Sequence, residues 1–262
     1  MPYEKIAVDK VGDVAILRLD DPAALNAVSL DMIDEINHAL DAQVQTSRAL
    51  ILTGSGRAFC AGANLGGGLS TVGDDGLTDT GASLESHINP LMTRLRGLPI
   101  PWVAAVRGPA AGVGCSLAVA ADIVIASETA YFLQAFVRIG LVPDGGSSWL
   151  LTRAVGRARA MEMMLLGERI PAAQALAWGL INRVVADAEL DDAALTMAQG
   201  LAAGPTRSLA MIRQMGWAAA DMDWKQVLHH ERMLQKDAGN TQDHAEGVLA
   251  FQEKRPARFT GA

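Results

Sequence analysis

The sequence predicts an α/β domain built from stacked strand–helix units and followed by a helical C-terminal region. Short apolar runs typical of buried strands alternate with amphipathic, helix-like runs on a period of roughly fifty residues. From Asp191 onward the pattern is mostly helical. We therefore expect a core of residues 1–200 with a buried sheet, and a helical region of residues 201–262 that packs on that core or on a neighbouring subunit.

The individual elements follow from hydrophobic periodicity. Residues 5–21 alternate around a VGD turn and predict a hairpin whose second strand is apolar on most of both faces. The helix-like runs have apolar positions three and four residues apart, with Ser29 and Gly167 as capping residues. The predicted helices before the C-terminal region include residues 29–43, 83–99, 112–122 and 157–166. The predicted buried strands are residues 48–54, 102–108, 123–127 and 180–187.

The composition excludes several classes of protein. Of the 262 residues, 50% are hydrophobic, which is enough for a sizeable core. A net charge of −7 argues against nucleic acid or an anionic membrane as the main partner. No apolar stretch approaches the roughly 18 residues of a membrane span, and we see no signal peptide. Two cysteines, Cys60 and Cys115, do not make a disulfide framework, so we expect a reduced, cytoplasmic setting.

The stretch GVGCSLA, residues 112–118, joins an apolar strand to a helix, and its small residues allow the backbone to approach a ligand closely. A dinucleotide-binding turn is disfavoured, because Leu117 occupies the third glycine position and Asp122 comes too early for the ribose-binding acid. A nucleophile elbow would make Ser116 the nucleophile of a serine hydrolase. The histidines that would then serve as the base lie in a strongly helical tail.

An oxyanion hole is the third chemistry that this junction suits. The free N–H groups at a helix N-terminus stabilise a carbonyl oxygen that becomes negative during a reaction. A hole needs a second donor. The small residues of FCAGANL, residues 59–65, would allow a second backbone N–H to approach the same oxygen.

Several spaced motifs resemble those of the crotonase superfamily, the enoyl-CoA hydratases and isomerases. The two main motifs are GRAFCAGANL, residues 56–65, and VRGPAAGVGCSLAVAADIVIAS, residues 106–127. The resemblance continues, in the same order, through residues 26–32, 139–156, 174–180 and 247–259. It implies a crotonase-type spiral of ββα units, a C-terminal helical region, and a homotrimer or a dimer of trimers. It also implies an acyl-CoA or enoyl-CoA thioester as substrate in acyl-CoA metabolism, such as that of fatty acids. No cofactor is expected, because the coenzyme A enters as part of the substrate.

The resemblance also implies which residues form the site. The two N–H groups of the oxyanion hole would be those of Ala63 and Val113. The residues that would line the coenzyme A or the acyl group are Leu25, Ala27, Ala61, Gly62, Leu65, Gly112, Ser116, Phe136, Trp149, Phe251 and Lys254. The last two match tail positions that reach a phosphate of coenzyme A, often from the next subunit.

The sequence departs from the hydratases of this superfamily at both catalytic glutamates. Ser116 and Phe136 occupy those positions, and neither side chain takes a proton from water at neutral pH. Ordinary hydratase activity is therefore not expected. Asp144, in LVPDGGSSW, is the remaining acid and matches the catalytic aspartate of isomerases of the phenylacetate-degradation type. A single carboxylate suffices to move a proton from the γ-carbon to the α-carbon of an enoyl thioester.

Other interpretations remain open from the sequence. Asp144 could instead be the N-cap of a helix that starts near Gly145. Without a working acid, the protein would bind acyl-CoA without catalysis. The resemblance implies that His87 lies on a helix flanking the acyl pocket, although a histidine on an amphipathic helix is more typical of a surface or packed residue. The HHE sequence at 229–231 lacks the spacing of a metal site, so no metal is expected.

Overall fold

The computed structural model describes residues 3–64, 66, 71–72 and 76–262 and has the predicted alternation of strands and helices. The strands are β1 (Ile6–Val11), β2 (Val14–Leu19), β3 (Ala49–Gly54), β4 (Thr71–Val72), β5 (Thr78–Asp79), β6 (Trp102–Val106), β7 (Pro109–Ala111), β8 (Ile123–Ser127), β9 (Tyr131–Leu133), β10 (Ile170–Pro171) and β11 (Arg183–Val185). The helices are α1 (Leu30–Val44), α2 (Asn89–Arg96), α3 (Val113–Val119), α4 (Ser147–Ala154), α5 (Gly156–Leu166), α6 (Ala172–Trp178), α7 (Leu190–Ala202), α8 (Thr206–Ala219), α9 (Trp224–Gly239) and α10 (Gln242–Glu253). Shorter helical turns span Pro22–Ala24, Leu84–Ile88, Ala135–Ile139 and Asp187–Glu189.

Six strands form the main sheet in the order β1-β2-β3-β6-β8-β11. β1 and β2 are the predicted antiparallel hairpin, and the later pairs of this sheet are parallel. β3 and β6 are buried along their whole length, as central strands of a sheet covered on both faces must be. The predicted cap of α1 is confirmed, because the Ser29 Oγ accepts a hydrogen bond from the N–H of Met32 at 3.2 Å.

A second, smaller sheet has the order β10-β9-β7. After β6 the chain forms β7 and α3, returns to the main sheet as β8, and then forms β9 in the smaller sheet. Each such turn of the chain therefore contributes a strand to both sheets, which gives the stacked ββα arrangement. β7 and β9 pair in parallel, with Ala111 opposite Leu133. This pairing places the end of β9 beside the turn that opens α3.

Both faces of the main sheet carry a hydrophobic cluster. On one side, α1 and α3 cover the sheet, and Trp102 and Phe59 are fully buried. On the other side, α7 packs Leu190 against the sheet residues Ile51 and Ile125. No helix in the described part of the chain is long and apolar enough to cross a membrane.

The C-terminal region consists of α8, α9 and α10 and is tied to the core by two arginines. Arg213 of α8 is buried and forms an ion pair with Asp122, with 2.5 Å between Nε and Oδ2. Arg48, just before β3, donates hydrogen bonds to the carbonyl oxygens of Gly204 at 2.6 Å and Phe259 at 3.0 Å. The exposed apolar side chains of this region are Ile212, Met222, Trp224, Leu228, Met233, Val248, Leu249 and Phe251. They form the kind of surface that the sequence predicts for contact with a neighbouring subunit.

Candidate active site

Two loops that the sequence assigns to the site are hydrogen-bonded to each other. The N–H of Ala61 donates to the carbonyl of Leu25 at 3.0 Å, and the N–H of Val28 donates to the carbonyl of Gly62 at 2.7 Å. The N–H of Asn64 then donates to the carbonyl of Val28 at 2.8 Å. Val28 thus forms hydrogen bonds with the two neighbours of Ala63, Gly62 and Asn64, which is the pattern of a parallel bridge. In this pattern the N–H of Ala63 itself points away from Val28. Among the described residues, no carbonyl accepts a hydrogen bond from that N–H.

Asn26 fixes the first of these loops and was missed as a site residue by the sequence reasoning. Its side chain is fully buried, and its Oδ1 accepts a hydrogen bond from the N–H of Asp21 at 2.9 Å. Its Nδ2 donates to the carbonyls of Ser55 at 2.9 Å and Ala58 at 2.7 Å. Asn26 also has a positive φ of 57°, a conformation that asparagine tolerates better than most residues. The sequence does show an asparagine shortly after a predicted loop, which favours a turn conformation. It does not show which backbone groups the Asn26 side chain binds.

The second donor lies at the start of α3. Gly112 has φ 52° and ψ −127°, a conformation that is open only to glycine, and it turns the chain from β7 into the helix. Val113 is the first residue of α3, so its N–H has no partner inside the helix. No other described residue accepts a hydrogen bond from it. Gly114 is needed for packing, because a Cβ there would lie 2.6 Å from the carbonyl oxygen of Cys60.

The two free N–H groups lie on loops that are in direct contact. A Cβ built on Gly112 would lie 3.7 Å from the Cα of Gly62, and one built on Gly62 would lie 3.1 Å from the carbonyl oxygen of Ala111. Backbone from both loops therefore meets with no side chain between them. Ala63 and Val113 directly follow Gly62 and Gly112 in the chain. This arrangement can present two N–H donors to one oxygen atom, as an oxyanion hole requires.

Asp144 lies on a turn that packs against the first turn of α3. The following residue, Gly145, has φ 59°, and a Cβ there would lie 2.9 Å from the Cβ of Ser116 and 3.4 Å from the Cγ2 of Val113. Asp144 is half-buried, and its Oδ1 is shielded from solvent with no hydrogen-bond partner among the described residues. Burial raises the pKa of Asp144 to about 6.

The alternative interpretation of Asp144 as a helix cap is wrong. α4 begins at Ser147, two residues later than expected, and its N-cap residue is Gly146 in the left-handed conformation. No side chain caps this helix. The two consecutive glycines with positive φ, Gly145 and Gly146, separate Asp144 from the helix, so its carboxylate does not reach the cap position.

Ser116 and Phe136, at the positions of the hydratase glutamates, both lie beside this site. Ser116 is fully buried, and its Oγ donates to the carbonyl of Asp144 at 3.0 Å, with the carbonyl of Gly112 at 3.4 Å. Both partners are backbone oxygens and neither is a histidine, so the geometry does not support a serine nucleophile. The Phe136 ring is buried, and its Cζ would lie 3.6 Å from a Cβ on Gly112. An apolar ring thus adjoins the turn at Gly112 that opens α3.

Trp149, on α4, lies in an aromatic and charged cluster. It stacks on Trp217 of α8 with 5.5 Å between ring centroids, and the guanidinium of Arg96 is 5.1 Å from the Trp149 centroid. Its Nε1 donates to the Asp221 Oδ1 at 3.3 Å. A cavity of about 220 Å³ lies here between α2, α3, α4 and α8. The residues that line it are Asn89, Met92, Thr93, Arg96, Ala120, Gly145, Gly146, Trp149, Leu150 and Trp217. The cavity therefore adjoins the Asp144 turn.

The remaining predicted residues lie elsewhere or outside the described chain. Ala27 lies on the loop between Leu25 and Val28 and is half-buried, whereas Leu65 lies outside the described residues. Phe251 and Lys254 lie at the end of α10, and Phe251 lines a groove between α8, α9 and α10, away from the loops that carry Ala63 and Val113. His87 is partly exposed, with 3.9 Å between its Nε2 and the Oδ1 of Asp34. The described residues contain no cluster of three metal-ligating side chains.

Comparison with known proteins gives matches over the full length. A family profile described as "Enoyl-CoA hydratase/isomerase" matches residues 9–262. A Rhodobacter capsulatus protein named "Probable enoyl-CoA hydratase" is 41% identical over all of both chains. An Escherichia coli "1,2-epoxyphenylacetyl-CoA isomerase" is 44% identical over 95% of each. The crystal structure of a Bacillus anthracis enoyl-CoA hydratase superposes with a TM-score of 0.92 at 28% identity, covering 99% of this chain and 100% of the other.

Proposed function

The chain belongs to the enoyl-CoA hydratase/isomerase family, the crotonase superfamily, and on that premise we propose that it moves the double bond of an enoyl-CoA thioester. One observation carries the preference for isomerisation over hydration. Of the three positions where this superfamily places catalytic carboxylates, Ser116 and Phe136 are not acids and only Asp144 is. Asp144 also lies on the turn that packs against the start of α3, where its carboxyl is half-buried.

The oxyanion hole supplies the electrostatic part of the reaction. The thioester oxygen would accept hydrogen bonds from the N–H groups of Ala63 and Val113. Removal of a proton from the α-carbon of a β,γ-unsaturated ester, or from the γ-carbon of the conjugated ester, creates the same dienolate, whose charge resides on that oxygen. Two fixed donors stabilise this charge without reorganisation, whereas the uncharged thioester gains less from them. The N-terminal end of α3 adds its partial positive charge at the same place.

Asp144 supplies the proton transfer. With a β,γ-unsaturated ester, its carboxylate accepts a proton from the α-carbon, and the resulting carboxylic acid returns a proton to the γ-carbon. The reverse reaction moves the proton from the γ-carbon to the α-carbon. The residue ends in its starting form, and no water is consumed. A pKa of about 6 suits this role, because the group is ionised at neutral pH but is a stronger base than an exposed aspartate.

Hydration is disfavoured by the same environment. Adding water across a double bond needs one group that activates the water and another that protonates the α-carbon. Here the buried Phe136 ring adjoins the hole where a hydratase has a carboxylate. The names of the relatives do not decide the matter, because one is called a hydratase and the other an isomerase.

Coenzyme A would enter along the paired loops, past Leu25, Ala27, Ala61 and Gly62. Phe251 and Lys254 of the same chain lie on the C-terminal region, so a coenzyme A contact from them fits best with a neighbouring subunit.

We accordingly propose a homotrimer or a dimer of trimers, which would also cover the exposed apolar side chains of α8, α9 and α10. Light scattering at micromolar concentration should give one of these masses, and a monomer would contradict the proposal.

The proposed activity is tested by offering β,γ-unsaturated CoA esters of different chain length. Migration of the double bond into conjugation with the thioester is followed by ultraviolet absorbance, and exchange at the α-carbon is followed by mass spectrometry in deuterated water. Both reactions are expected with at least one ester. Tight binding of the esters without either reaction would instead support an acyl-CoA-binding protein.

A further inference from the structure

The Ser116 hydroxyl donates its hydrogen bond outside its own helix, which is unusual for a serine inside a helix. Such a hydroxyl commonly donates to the carbonyl four residues earlier. Here that carbonyl, of Gly112, is 3.4 Å from the Oγ, whereas the carbonyl of Asp144 is at 3.0 Å. A hydroxyl has one proton, so the shorter and better contact is the one to Asp144. The bond joins α3 to a turn 28 residues later in the chain.

The same carbonyl is held from the other side. The N–H of Ser147, the first residue of α4, donates to the Asp144 carbonyl at 3.1 Å. The backbone of Asp144 is therefore fixed by one donor from α3 and one from α4. Gly145 reinforces the contact, because its Cα packs so closely on Ser116 that a Cβ would lie 2.9 Å from the Ser116 Cβ.

The side chain of Asp144 has no comparable anchor. Its Oδ1 has no hydrogen-bond partner among the described residues, and the two residues that follow it are glycines with positive φ. The place of the carboxylate is therefore set by the backbone of its turn. That backbone is tied to α3 only one helical turn away from Val113, which offers an oxyanion-hole N–H.

We infer that Ser116 is a positioning residue that fixes the Asp144 carboxylate relative to the oxyanion hole. This inference rests on the proposed isomerisation, in which one carboxylate must reach two carbon atoms of a thioester held by the hole. Proton transfer of this kind tolerates displacements of only a fraction of an ångström. Ser116 does not touch the substrate in this role; it acts through the Asp144 carbonyl.

The inference also explains why the hydratase glutamate cannot simply be restored at this position. The Ser116 Oγ lies 3.0 Å from the Asp144 carbonyl, and the Gly145 backbone packs beside the Ser116 Cβ, so we expect the longer side chain of Ser116→Glu to displace the Asp144 turn. The site is therefore built for one carboxylate. We expect S116E to lose isomerisation without gaining hydration.

The test compares Ser116→Ala with a matched loss of a buried hydroxyl elsewhere. Ser127, at the end of β8, is also fully buried, and its Oγ is 2.8 Å from the Thr129 Oγ1. For S116A, kcat for isomerisation should fall by about 10- to 100-fold, while KM for the CoA ester changes by less than about threefold. S127A should keep the wild-type kcat. Ser116→Cys, which retains a weak donor, should recover part of the loss.

Two further readouts separate positioning from general damage. In S116A the pH at which kcat reaches half its plateau should shift downward, because a loosened turn exposes the carboxyl to water. Hydrogen exchange of the 145–148 segment should become faster in S116A and remain unchanged in S127A. Wild-type kcat, pH profile and exchange in S116A would overturn the inference and leave the proposed isomerisation intact. If the wild type isomerises no enoyl-CoA, the proposed function fails. In that case, unchanged hydrogen exchange of the 145–148 segment in S116A would also overturn the role of Ser116 in fixing the Asp144 turn.

Discussion

Replacing Asp144 with asparagine is expected to stabilise the folded protein at neutral pH. Burial raises the pKa of this carboxyl from 3.8 to about 6. A raised pKa means that ionisation costs more free energy in the folded chain than in the unfolded chain. Asparagine has nearly the same shape and carries no charge, so Asp144→Asn removes that cost. A gain in stability from changing this residue would show that the proposed active site holds its carboxylate at the expense of stability.

The size of the effect follows from the two pKa values, 3.8 in the unfolded chain and about 6 in the folded chain. About two units, at roughly 1.4 kcal/mol each, give about 3 kcal/mol at pH 7.5, where the carboxyl is ionised in both states. Well below pH 3.8 it is protonated in both states, and the cost vanishes. Relative to a chain with this carboxylate ionised, the wild type therefore has its full free energy of unfolding at low pH. It loses the contribution of the protonated Asp144 carboxyl as the pH rises through about 6. At pH 5 the cost is about 1.5 kcal/mol.

Urea unfolding at a fixed protein concentration measures this difference. Relative to the wild type, Asp144→Asn should gain about 1.5 kcal/mol more at pH 7.5 than at pH 5. Asp20→Asn, which removes an exposed carboxylate, is the control and should show no such change between the two pH values. If Asp144→Asn raised the free energy of unfolding equally at both pH values, or lowered it increasingly as the pH rises, the reasoning would be refuted. The change in stability would then not come from ionisation of the Asp144 carboxyl.

Three other outcomes follow from the same site. Turnover in isomerisation should rise as the pH passes through about 6 and then level off, since the ionised carboxylate is the active form; a fall over this range in a pH–rate profile would contradict it. Hydration of crotonyl-CoA should be slower than isomerisation by at least about 100-fold, and turnover typical of a good hydratase would show that another group activates water. Calorimetry should show far tighter binding of a CoA thioester than of the corresponding free acid, and equal affinities would count against the role of the paired loops.

Much of the fold could be predicted from the sequence because its signals are local. The hairpin of β1 and β2, the Ser29 cap and the Gly167 C-cap all follow from residues a few positions apart. The smaller sheet could not be predicted in this way. β7 and β9 have only three residues each, so they show no periodicity, and their pairing joins segments about twenty residues apart.

The candidate site shows the same division between local and long-range signals. The close approach of the backbone at Gly62 and Gly112 was predicted, because small residues at these positions are visible in the sequence. The hydrogen bonds from the Asn26 side chain to the carbonyls of Ser55 and Ala58, and the hydrogen bond from Ser116 to the Asp144 carbonyl, depend on tertiary contacts that the local sequence does not encode. The start of α4 was misplaced for a related reason. An aspartate before a glycine pair is typical of a cap, yet the pair here forms a separate turn.

The isomerisation rate of Asp144→Asn is the most direct test of the central claim, that the half-buried Asp144 carboxylate beside the proposed oxyanion hole carries the reaction. Wild type and variant are given the same β,γ-unsaturated CoA ester, with double-bond migration and α-carbon deuterium exchange measured together. The account predicts that both rates fall by about 100- to 10,000-fold. The affinity for the CoA ester should stay nearly unchanged, because binding comes from the loops and the coenzyme A arm. Wild-type rates in Asp144→Asn would contradict the account, since the proton would then travel through another group.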